Sequence, residues 1–516
     1  MMLAHFATTD NFSRRLAGVE ANGKFNSMSA GPQDGKLSSN LKDVVTQLKD
    51  RFDLTYVYCW HGLPAYWGGV MPNVPELSEL NTSLVFPEPT PGLLEVEPSM
   101  AWNPATLAGV GVPKDITALF SRMHQYLKSC GIDGVKVDCQ GAIGLAGSGV
   151  GGGPALTRRY HAAFEDSVKD NFVNNHCINC MCHSTENLYR MTNTAVARVS
   201  DDFYPREPAS SSPHIAACAY NSVFMSALVQ PDWDMFHSMH PSAETHAIAR
   251  ALSGGAVYVS DKPGDHDFAL LRLLVLPDGS TLRAAGAARP SRDCLFADVL
   301  RDGRSLLKAW NTNRGGGRVV GVYHLQGSSW DRTRRKFHVH DAAPRALATT
   351  VQPADCEAGA AELHPAAASP PRYAMYTVRG KALAVVGGGG RDGVRVELAA
   401  GEAEAVAVAP LLDVGSSSVA LIGLCDMYNS GGAVLGVDVV ASSNGSGGGT
   451  CNVSMRGCGR FLAHCSVAPS SVAWRGNGQS GAPTALEFTY DASSGAMHVE
   501  VPRTDDMRAT LTIAFD

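Results

Sequence analysis

From about residue 40 to residue 275, short apolar runs alternate with amphipathic segments. Six runs have the length and composition of β-strands, at 54–60, 134–138, 177–182, 197–203, 226–236 and 255–261. Helical spacing occurs between them at 113–130, 157–172 and 241–252. Strands that alternate with helices pair in parallel, and in a barrel their carboxyl ends carry the catalytic groups. The pattern therefore predicts an α/β fold with a barrel-type domain over residues 1–285.

After about residue 285 the chain becomes rich in valine and glycine and loses the helical pattern. Strand-like segments follow at 382–387, 394–400, 405–412, 486–490, 497–502 and 509–515. We predict a C-terminal antiparallel β-sandwich domain over residues 286–516. The glycine-rich segments 387–393 and 442–450 are interpreted as connections, because neither leads from a strand into a helix with a phosphate-binding GKS or GKT ending.

Charge and cysteine content narrow the class of partner. The net charge of -6 gives no electrostatic reason to expect nucleic acid or an anionic membrane. No apolar run is long enough to span a bilayer, and residues 1–15 lack the apolar core of a secretory signal. Thirteen cysteines without a regular framework indicate reduced thiols. We predict a cytoplasmic protein, with the plastid stroma as the alternative, acting on a small neutral molecule.

The segment GVKVD at 134–138 places two opposite charges on one strand. Side chains alternate faces along a strand, so Lys136 and Asp138 share one face while Val135 and Val137 share the other. In a barrel the valines would meet the outer helices and the charges would point into the mouth. The alternative interpretation is a buried ion pair in which Lys136 and Asp138 bind each other and have only a structural role.

A second carboxylate occurs in ARVSDDF at 197–203. By the same alternation Arg198, Ser200 and Asp202 share the inward face, which leaves Asp201 on the other face or in the loop. Two aspartates at strand ends in one barrel mouth fit retaining glycoside chemistry, in which the carboxyl groups stand ~5–5.5 Å apart. We predict Asp138 as nucleophile and Asp202 as acid/base catalyst.

The neighbouring charges suit these two roles. Lys136 would favour the ionised form of Asp138. Burial and a nearby negative charge would favour the protonated form of Asp202 until the sugar–enzyme intermediate forms, after which Asp202 can act as base. Lys136 and Arg198 are also predicted to contact substrate.

Further candidates for substrate binding lie at or near strand ends. Trp60 and Trp233 are either core aromatics or stacking platforms for a sugar ring, and for Trp233 we favour sugar contact. Asp234, beside Trp233, is assigned to the same site. Asp261 either caps the next segment or binds a hydroxyl group.

A cluster of possible metal ligands occurs at Cys177, Cys180, Cys182 and His183. Zinc sites usually combine one such pair with a second, distant pair, and residues along one strand alternate faces and do not converge. We therefore interpret these residues as strand packing and predict no metal and no cofactor.

Several long motifs together resemble one family. They include YVYCWHGLPAYWGGV at 56–70, DGVKVDCQ at 133–140, RVSDDFYPREPAS at 198–210, QPDWDMFHSMHP at 230–241 and SGGAVYVSDKPG at 253–264. They are similar to motifs of the raffinose synthase and seed imbibition proteins, which include alkaline α-galactosidases and belong to glycoside hydrolase family thirty-six. The resemblance extends over about residues 10–330.

The resemblance implies a (β/α)8 barrel, a C-terminal β-sandwich and Asp138 as nucleophile. Related α-galactosidases carry their acid/base catalyst four residues after an arginine, which selects Asp202. The implied activity is retaining galactosyl transfer from galactinol to sucrose. The implied alternative is hydrolysis of galactinol or raffinose-type oligosaccharides by an alkaline α-galactosidase.

The sequence departs from the family pattern at its N-terminal side. Family members carry an N-terminal β-sandwich and barrel strands with WCTWD-like and DDGWQ motifs, and neither motif occurs here. We therefore expect that the first two barrel strands are missing and that activity of this chain alone is in doubt. A non-catalytic fragment is accordingly the third functional alternative.

Overall fold

The computed structural model describes residues 14–21, 41–356, 372–387, 392–441 and 447–516. Residues 388–391 and 442–446 of the two glycine-rich segments and most of residues 1–15 lie outside the described residues. The chain divides into two compact units, one ending at Arg198 and the other beginning at Val199. The domain boundary after residue 285 stays a prediction.

The first unit contains a parallel sheet of four strands, each followed along the chain by a helix or a loop. The strands are β1 (Tyr58–Gly62), β2 (Gly134–Asp138), β3 (Cys177–Asn179) and β4 (Val196–Arg198), paired in that order. The main helices are α1 (Leu41–Phe52), α2 (Ile116–Ser129) and α3 (Gly153–Asn171). Shorter elements are the antiparallel strands Ser83–Val85 and Val110–Val112 and the helices Pro91–Val96, Pro104–Ala108 and Thr185–Leu188.

Apolar side chains from the helices pack on one face of β2. Val135 and Val137 are fully buried in a core that includes Phe120 of α2 and Phe164 of α3. Helix α2 begins where the Asp115 carboxylate accepts a hydrogen bond from Ala118 N at 2.9 Å, which satisfies one donor of the first turn. The alternation predicted for GVKVD is therefore confirmed.

A chain of hydrogen bonds connects the helices to the end of β1. His61 Nδ1 lies 2.7 Å from the Gly62 carbonyl oxygen, and His61 Nε2 lies 3.1 Å from His124 Nε2. His124 Nδ1 lies 2.9 Å from Ser167 Oγ. Neutral rings satisfy every contact when Ser167 donates to His124, His124 donates to His61, and His61 donates to the carbonyl oxygen.

These two histidines make stability depend on pH. Burial lowers the pKa of His61 to about 4 and holds the pKa of His124 well below its usual value. Because these folded-state pKa values lie below those of the unfolded chain, acidification protonates the unfolded state first. We expect the free energy of unfolding to fall below about pH 6.5, by roughly 1.4 kcal/mol per pH unit for each histidine.

Chemical denaturation at several pH values between 7 and 5 measures this slope. His124→Phe removes one titrating group, so its slope should be shallower by that amount even if the variant is less stable at every pH. An identical slope in the variant and the wild type would contradict the assignment.

The second unit combines a short α/β segment with antiparallel sheets. Strand β5 (Gln230–Asp232) lies between helices α4 (Ser211–Met225) and α5 (Ala243–Ser253), and a short helix follows at Phe268–Leu271. A six-stranded antiparallel sheet has the order Ala382–Gly387, Arg372–Thr377, Ala403–Pro410, Arg318–Tyr323, Leu307–Thr312 and Arg289–Pro290. Two-stranded pairs are Ser328–Asp331 with Lys336–Val339, and Leu347–Val351 with Val394–Leu398.

Two five-stranded antiparallel sheets complete the second unit. One has the order Leu412–Val414, Ser417–Leu424, Gly459–Cys465, Ala496–Val501 and Phe488–Asp491. The other has the order Val434–Ala441, Gly449–Arg456, Arg508–Phe515, Ser471–Gly476 and Thr484–Ala485. Residues of both sheets, such as Phe461 and Leu511, share one apolar core. The predicted strands between residues 382 and 515 thus correspond to observed strands.

The strand predicted at 54–60 lies at Tyr58–Gly62, and the one predicted at 177–182 ends at Asn179. Three further strand predictions in the α/β part need correction. The strand predicted at 255–261 is wrong, because Val259 forms only an isolated bridge with Phe236. The strand at 197–203 ends at Arg198, and the one at 226–236 is confined to Gln230–Asp232. In both places the apolar pattern continues beyond the backbone pairing, because those side chains are buried from loops. None of the helices in the described ranges is long and apolar enough to cross a membrane.

Candidate active site

Asp138 is the last residue of β2, and two donors fix its carboxylate. Oδ1 accepts a hydrogen bond from Cys139 N at 2.7 Å, and Oδ2 accepts one from Trp60 Nε1 at 3.1 Å. Cys139 has φ 58°, a left-handed conformation that is uncommon for a residue with a Cβ atom. The sharp turn directly after the strand brings the Cys139 amide onto the carboxylate and leaves Asp138 partly exposed.

The predicted neighbours of Asp138 lie on the same face of the sheet. In the parallel register Trp60 is paired with Lys136, and Gly62 is paired with Asp138. Trp60 therefore contacts the candidate nucleophile through its indole N–H. Lys136 is partly exposed, and among the described residues it makes no ion pair within 4 Å. The purely structural ion pair between Lys136 and Asp138 is thus not formed in this structure.

Arg198, at the end of β4, is fully buried. Its Nη1 lies 3.7 Å from Cys180 Sγ, and its carbonyl oxygen lies 2.6 Å from His183 Nε2. These contacts tie the end of β4 to the loop after β3. The assignment of Arg198 to substrate contact stays a prediction.

The cysteines of the 177–183 segment are packed, free thiols. Cys177, Cys180 and Cys182 are buried, and burial raises the pKa of Cys182 to about 12. A thiol binds metal as the thiolate, so this environment disfavours ligation. Within the part of the chain that the structure describes, no group of three or more potential ligands is placed to hold a metal ion.

The two aspartates after β4 lie side by side in the second unit. Asp201 Oδ1 accepts hydrogen bonds from Asp202 N at 2.9 Å and from Tyr204 Oη at 3.0 Å. Both aspartates are exposed and both line one cavity of about 420 Å³. Strand alternation ends at Arg198, so it does not place Asp201 and Asp202 on opposite faces as predicted. The expected burial of Asp202 is not found either.

Asp234 supports the backbone next to these aspartates. It is fully buried with φ 68°, and its Oδ2 accepts a hydrogen bond from Phe203 N at 2.8 Å. Its neighbour Asp232 is also buried and accepts hydrogen bonds from Tyr258 Oη at 3.1 and 2.8 Å. In this structure Asp234 positions the residue that follows Asp202. The assignment of Asp234 to substrate binding stays a prediction.

Trp233 is an interior residue in this structure. Its side chain is fully buried, and its Nε1 donates to Ser222 Oγ of helix α4 at 3.2 Å. Strand β5 ends at Asp232, directly before Trp233, so strand alternation does not orient the indole. This burial gives no support to sugar contact by Trp233, which stays a prediction.

Asp261 acts as a structural anchor. Its Oδ1 accepts a hydrogen bond from Ser238 N at 2.7 Å. Its Oδ2 accepts hydrogen bonds from Ser238 Oγ at 2.6 Å and from His266 Nδ1 at 3.1 Å. Burial by itself would raise the pKa of Asp261, but these hydrogen bonds outweigh it and lower the pKa overall. Asp261 thus joins His266 of the following segment to Ser238, and its binding of a substrate hydroxyl stays a prediction.

The cavity beside Asp201 and Asp202 has walls that the motif analysis missed. Trp330 and Phe337 line it from the hairpin Ser328–Asp331 and Lys336–Val339, and Tyr220 lines it from α4. None of these residues belongs to a strand-end motif. In the sequence, the local feature that could have indicated this wall is a pair of aromatic residues around a basic turn, in WDRTRRKF at 330–337.

Comparison with known proteins assigns the chain to a family. The family model described as "Raffinose synthase or seed imbibition protein Sip1" matches residues 4–501. The chain belongs to this family. The resemblance inferred from the motifs is thereby confirmed.

Curated relatives of the family match most of this chain. A probable galactinol–sucrose galactosyltransferase 6 of Arabidopsis thaliana is 41% identical over 95% of this chain and 62% of its own length. A galactinol–sucrose galactosyltransferase of Pisum sativum is 36% identical over 88% of this chain and 57% of its own. A stachyose synthase of Pisum sativum is 32% identical over 85% of this chain and 51% of its own. The chain thus spans about half to three fifths of the length of these relatives.

A solved structure also aligns with the chain. It is that of a GH27 β-L-arabinopyranosidase from Geobacillus stearothermophilus, which covers 80% of this chain and 88% of its own at 12% identity and a TM-score of 0.46.

Proposed function

We propose that this chain carries the catalytic carboxylates of a retaining α-galactosyl transfer from galactinol to sucrose. The observation that supports the proposal best is the carboxylate of Asp138, placed at the carboxyl end of a parallel strand and oriented by Trp60 and Cys139. Membership of the raffinose synthase family supplies the reaction class. Curated relatives named as galactinol–sucrose galactosyltransferases and stachyose synthase support the donor and acceptor.

The proposed reaction has two steps. In the first, Asp138 attacks the anomeric carbon, the bond to the leaving oxygen breaks, and Asp202 donates its proton to that oxygen. In the second, Asp202 takes a proton from an acceptor hydroxyl, and the hydroxyl oxygen displaces Asp138. Two inversions retain the α configuration. This mechanism predicts a separation of ~5–5.5 Å between the two carboxyl groups.

The same proposal extends to architecture and compartment. We infer that the parallel strands belong to a (β/α)8-type barrel, and the packing of helices on β2 supports this inference. We also infer that the antiparallel sheets form a β-sandwich, which their shared apolar core supports.

The cysteines bear on the compartment. All thirteen cysteines are free, and twelve are buried. Reduced thiols support a cytoplasmic protein, with the plastid stroma as the alternative.

Hydrolysis is the second candidate. Transferase and hydrolase differ only in the nucleophile that reaches the intermediate. Asp201 and Asp202 are both exposed, so water has access to the candidate acid/base catalyst. This exposure favours the alkaline α-galactosidase reaction, in which water replaces the sucrose hydroxyl in the second step.

Product analysis separates these candidates. Incubation of the chain with galactinol and sucrose, followed by NMR of the reaction as it proceeds, should give an α-galactosylated sucrose, whereas galactinol alone should give galactose released first as the α anomer. A product released first as the β anomer would contradict the double displacement. Absence of any turnover would support the third alternative, a non-catalytic fragment.

A further inference from the structure

The cavity beside Asp201 and Asp202 has one acidic end and one aromatic end. Trp330 and Phe337 face each other across the hairpin, paired in register, with ring centroids 5.1 Å apart at an angle of 73°. Trp330 is 47% exposed although it lines the cavity. Trp330 and Phe337 thus present two adjacent aromatic rings to a cavity that Asp201 and Asp202 also line.

The aromatic end is held in place relative to the acidic end. Phe337 packs against Tyr204 with ring centroids 6.2 Å apart, and the Tyr204 hydroxyl donates to Asp201 Oδ1 at 3.0 Å. The turn of the hairpin is fixed because Asp331 Oδ1 accepts hydrogen bonds from Thr333 N and Arg334 N, both at 2.9 Å. The cavity is therefore a preformed feature of the second unit.

The chemistry of the walls selects a neutral, polyhydroxylated ring. Pyranose rings have an apolar face that stacks on aromatic side chains and hydroxyl groups that bind carboxylates. The charged residues of the lining are Asp201, Asp202 and Asp298, and no lysine or arginine lines it. Asp298 is itself paired with Arg301 at 2.8 Å. A lining with three aspartates and no lysine or arginine disfavours an anionic sugar such as a sugar phosphate.

From these features we propose that the cavity is the subsite for the galactosyl acceptor, a neutral sugar such as sucrose, and that Trp330 and Phe337 determine its binding. The cavity volume of about 420 Å³ lies within the range of sites for small ligands. The inference rests on the proposed function for its choice of acceptor. It assigns acceptor selection to a hairpin of the β-rich region, while the chemistry belongs to aspartates of the α/β segments.

Direct binding tests the subsite without requiring turnover. Calorimetric titration of the full chain with sucrose should give a measurable affinity that falls roughly tenfold in Trp330→Ala and in Phe337→Ala. Trp330→Phe keeps a stacking face and should restore most of the affinity. Trp102→Ala is the matched control, because Trp102 is 62% exposed and is not a lining residue of the cavity. Sucrose 6-phosphate should bind at least tenfold more weakly than sucrose.

Turnover provides the second arm. With α-galactosyl fluoride as the donor, transfer to subsaturating sucrose should fall about tenfold in Trp330→Ala, and saturating sucrose should restore most of the rate. Equal sucrose affinity in wild type and Trp330→Ala, or an equal loss in Trp102→Ala, would overturn the subsite. Absence of sucrose binding in the wild type would also overturn it.

The two proposals can fail separately. If the wild type does not turn over α-galactosyl fluoride but Trp330→Ala loses sucrose affinity, the galactosyl transfer fails and the sugar subsite stands. If α-galactosyl fluoride is turned over while sucrose binding does not depend on Trp330 or Phe337, the subsite fails and the galactosyl chemistry stands. Thermal unfolding of each variant shows whether a loss of binding reflects a loss of fold.

Discussion

Asp138→Asn is expected to abolish turnover of an activated α-galactoside, with a loss on the order of 10⁴-fold or more, because no carboxylate remains to form the glycosyl ester. The fold should persist. The asparagine oxygen can still accept one of the two hydrogen bonds that Trp60 and Cys139 now donate, so the cost in stability should be on the order of 1 kcal/mol.

Initial rates with an aryl α-galactoside measure this loss. Asp133→Asn is the matched control, because Asp133 precedes the same strand and binds Lys49 at 2.8 Å. That variant should lose stability but keep its rate. A fluorinated galactosyl donor that slows the second step should add one galactosyl mass to the peptide containing Asp138. Undiminished turnover in Asp138→Asn, or a label on another peptide, would contradict the assignment.

Replacement of Asp202 by alanine should affect substrates according to their leaving group. An acid catalyst matters most when the departing oxygen is basic, so Asp202→Ala should lower turnover of galactinol or raffinose by roughly 10²–10⁴-fold. The first step with an aryl galactoside that releases an acidic phenol should change far less. The intermediate would then form, but its breakdown would lack a general base.

Azide should rescue the second step in Asp202→Ala because it needs no deprotonation. The expected product is an α-galactosyl azide, since the second displacement restores the original configuration. A β-azide would indicate direct displacement and would remove the nucleophile role from Asp138.

Asp201→Ala is the matched comparison, because Asp201 and Asp202 line the same cavity and are both exposed. Rescue in Asp201→Ala but not in Asp202→Ala would move the acid/base function by one residue. The backbone contact between them, Asp202 N to Asp201 Oδ1, is lost only in Asp201→Ala. If Asp201→Ala lowers turnover slightly and equally for every substrate, the lost hydrogen bond within the loop explains the effect, and Asp201 has no catalytic role.

Strand alternation within β2 could be predicted from the sequence because it depends only on neighbouring residues. Val135 and Val137 are buried against helices, and Asp138 ends the strand with its carboxylate partly exposed. Alternation could not place Trp233 in the same way, because the strand ends at Asp232 and Asp234 has a left-handed backbone. The burial of Trp233 depends on its contact with Ser222 of α4.

The amino-acid sequence by itself thus determined the βα repetition, the later antiparallel strands, the family and the position of Asp138, because periodicity and motifs are local properties. Only the tertiary structure decided where β4 ends, that Asp234 holds Phe203 N, and that Asp201 and Asp202 share a cavity with Trp330 and Phe337. Those contacts join residues far apart in the chain. They depend on how buried side chains pack and which backbone groups find partners, and no local pattern encodes that.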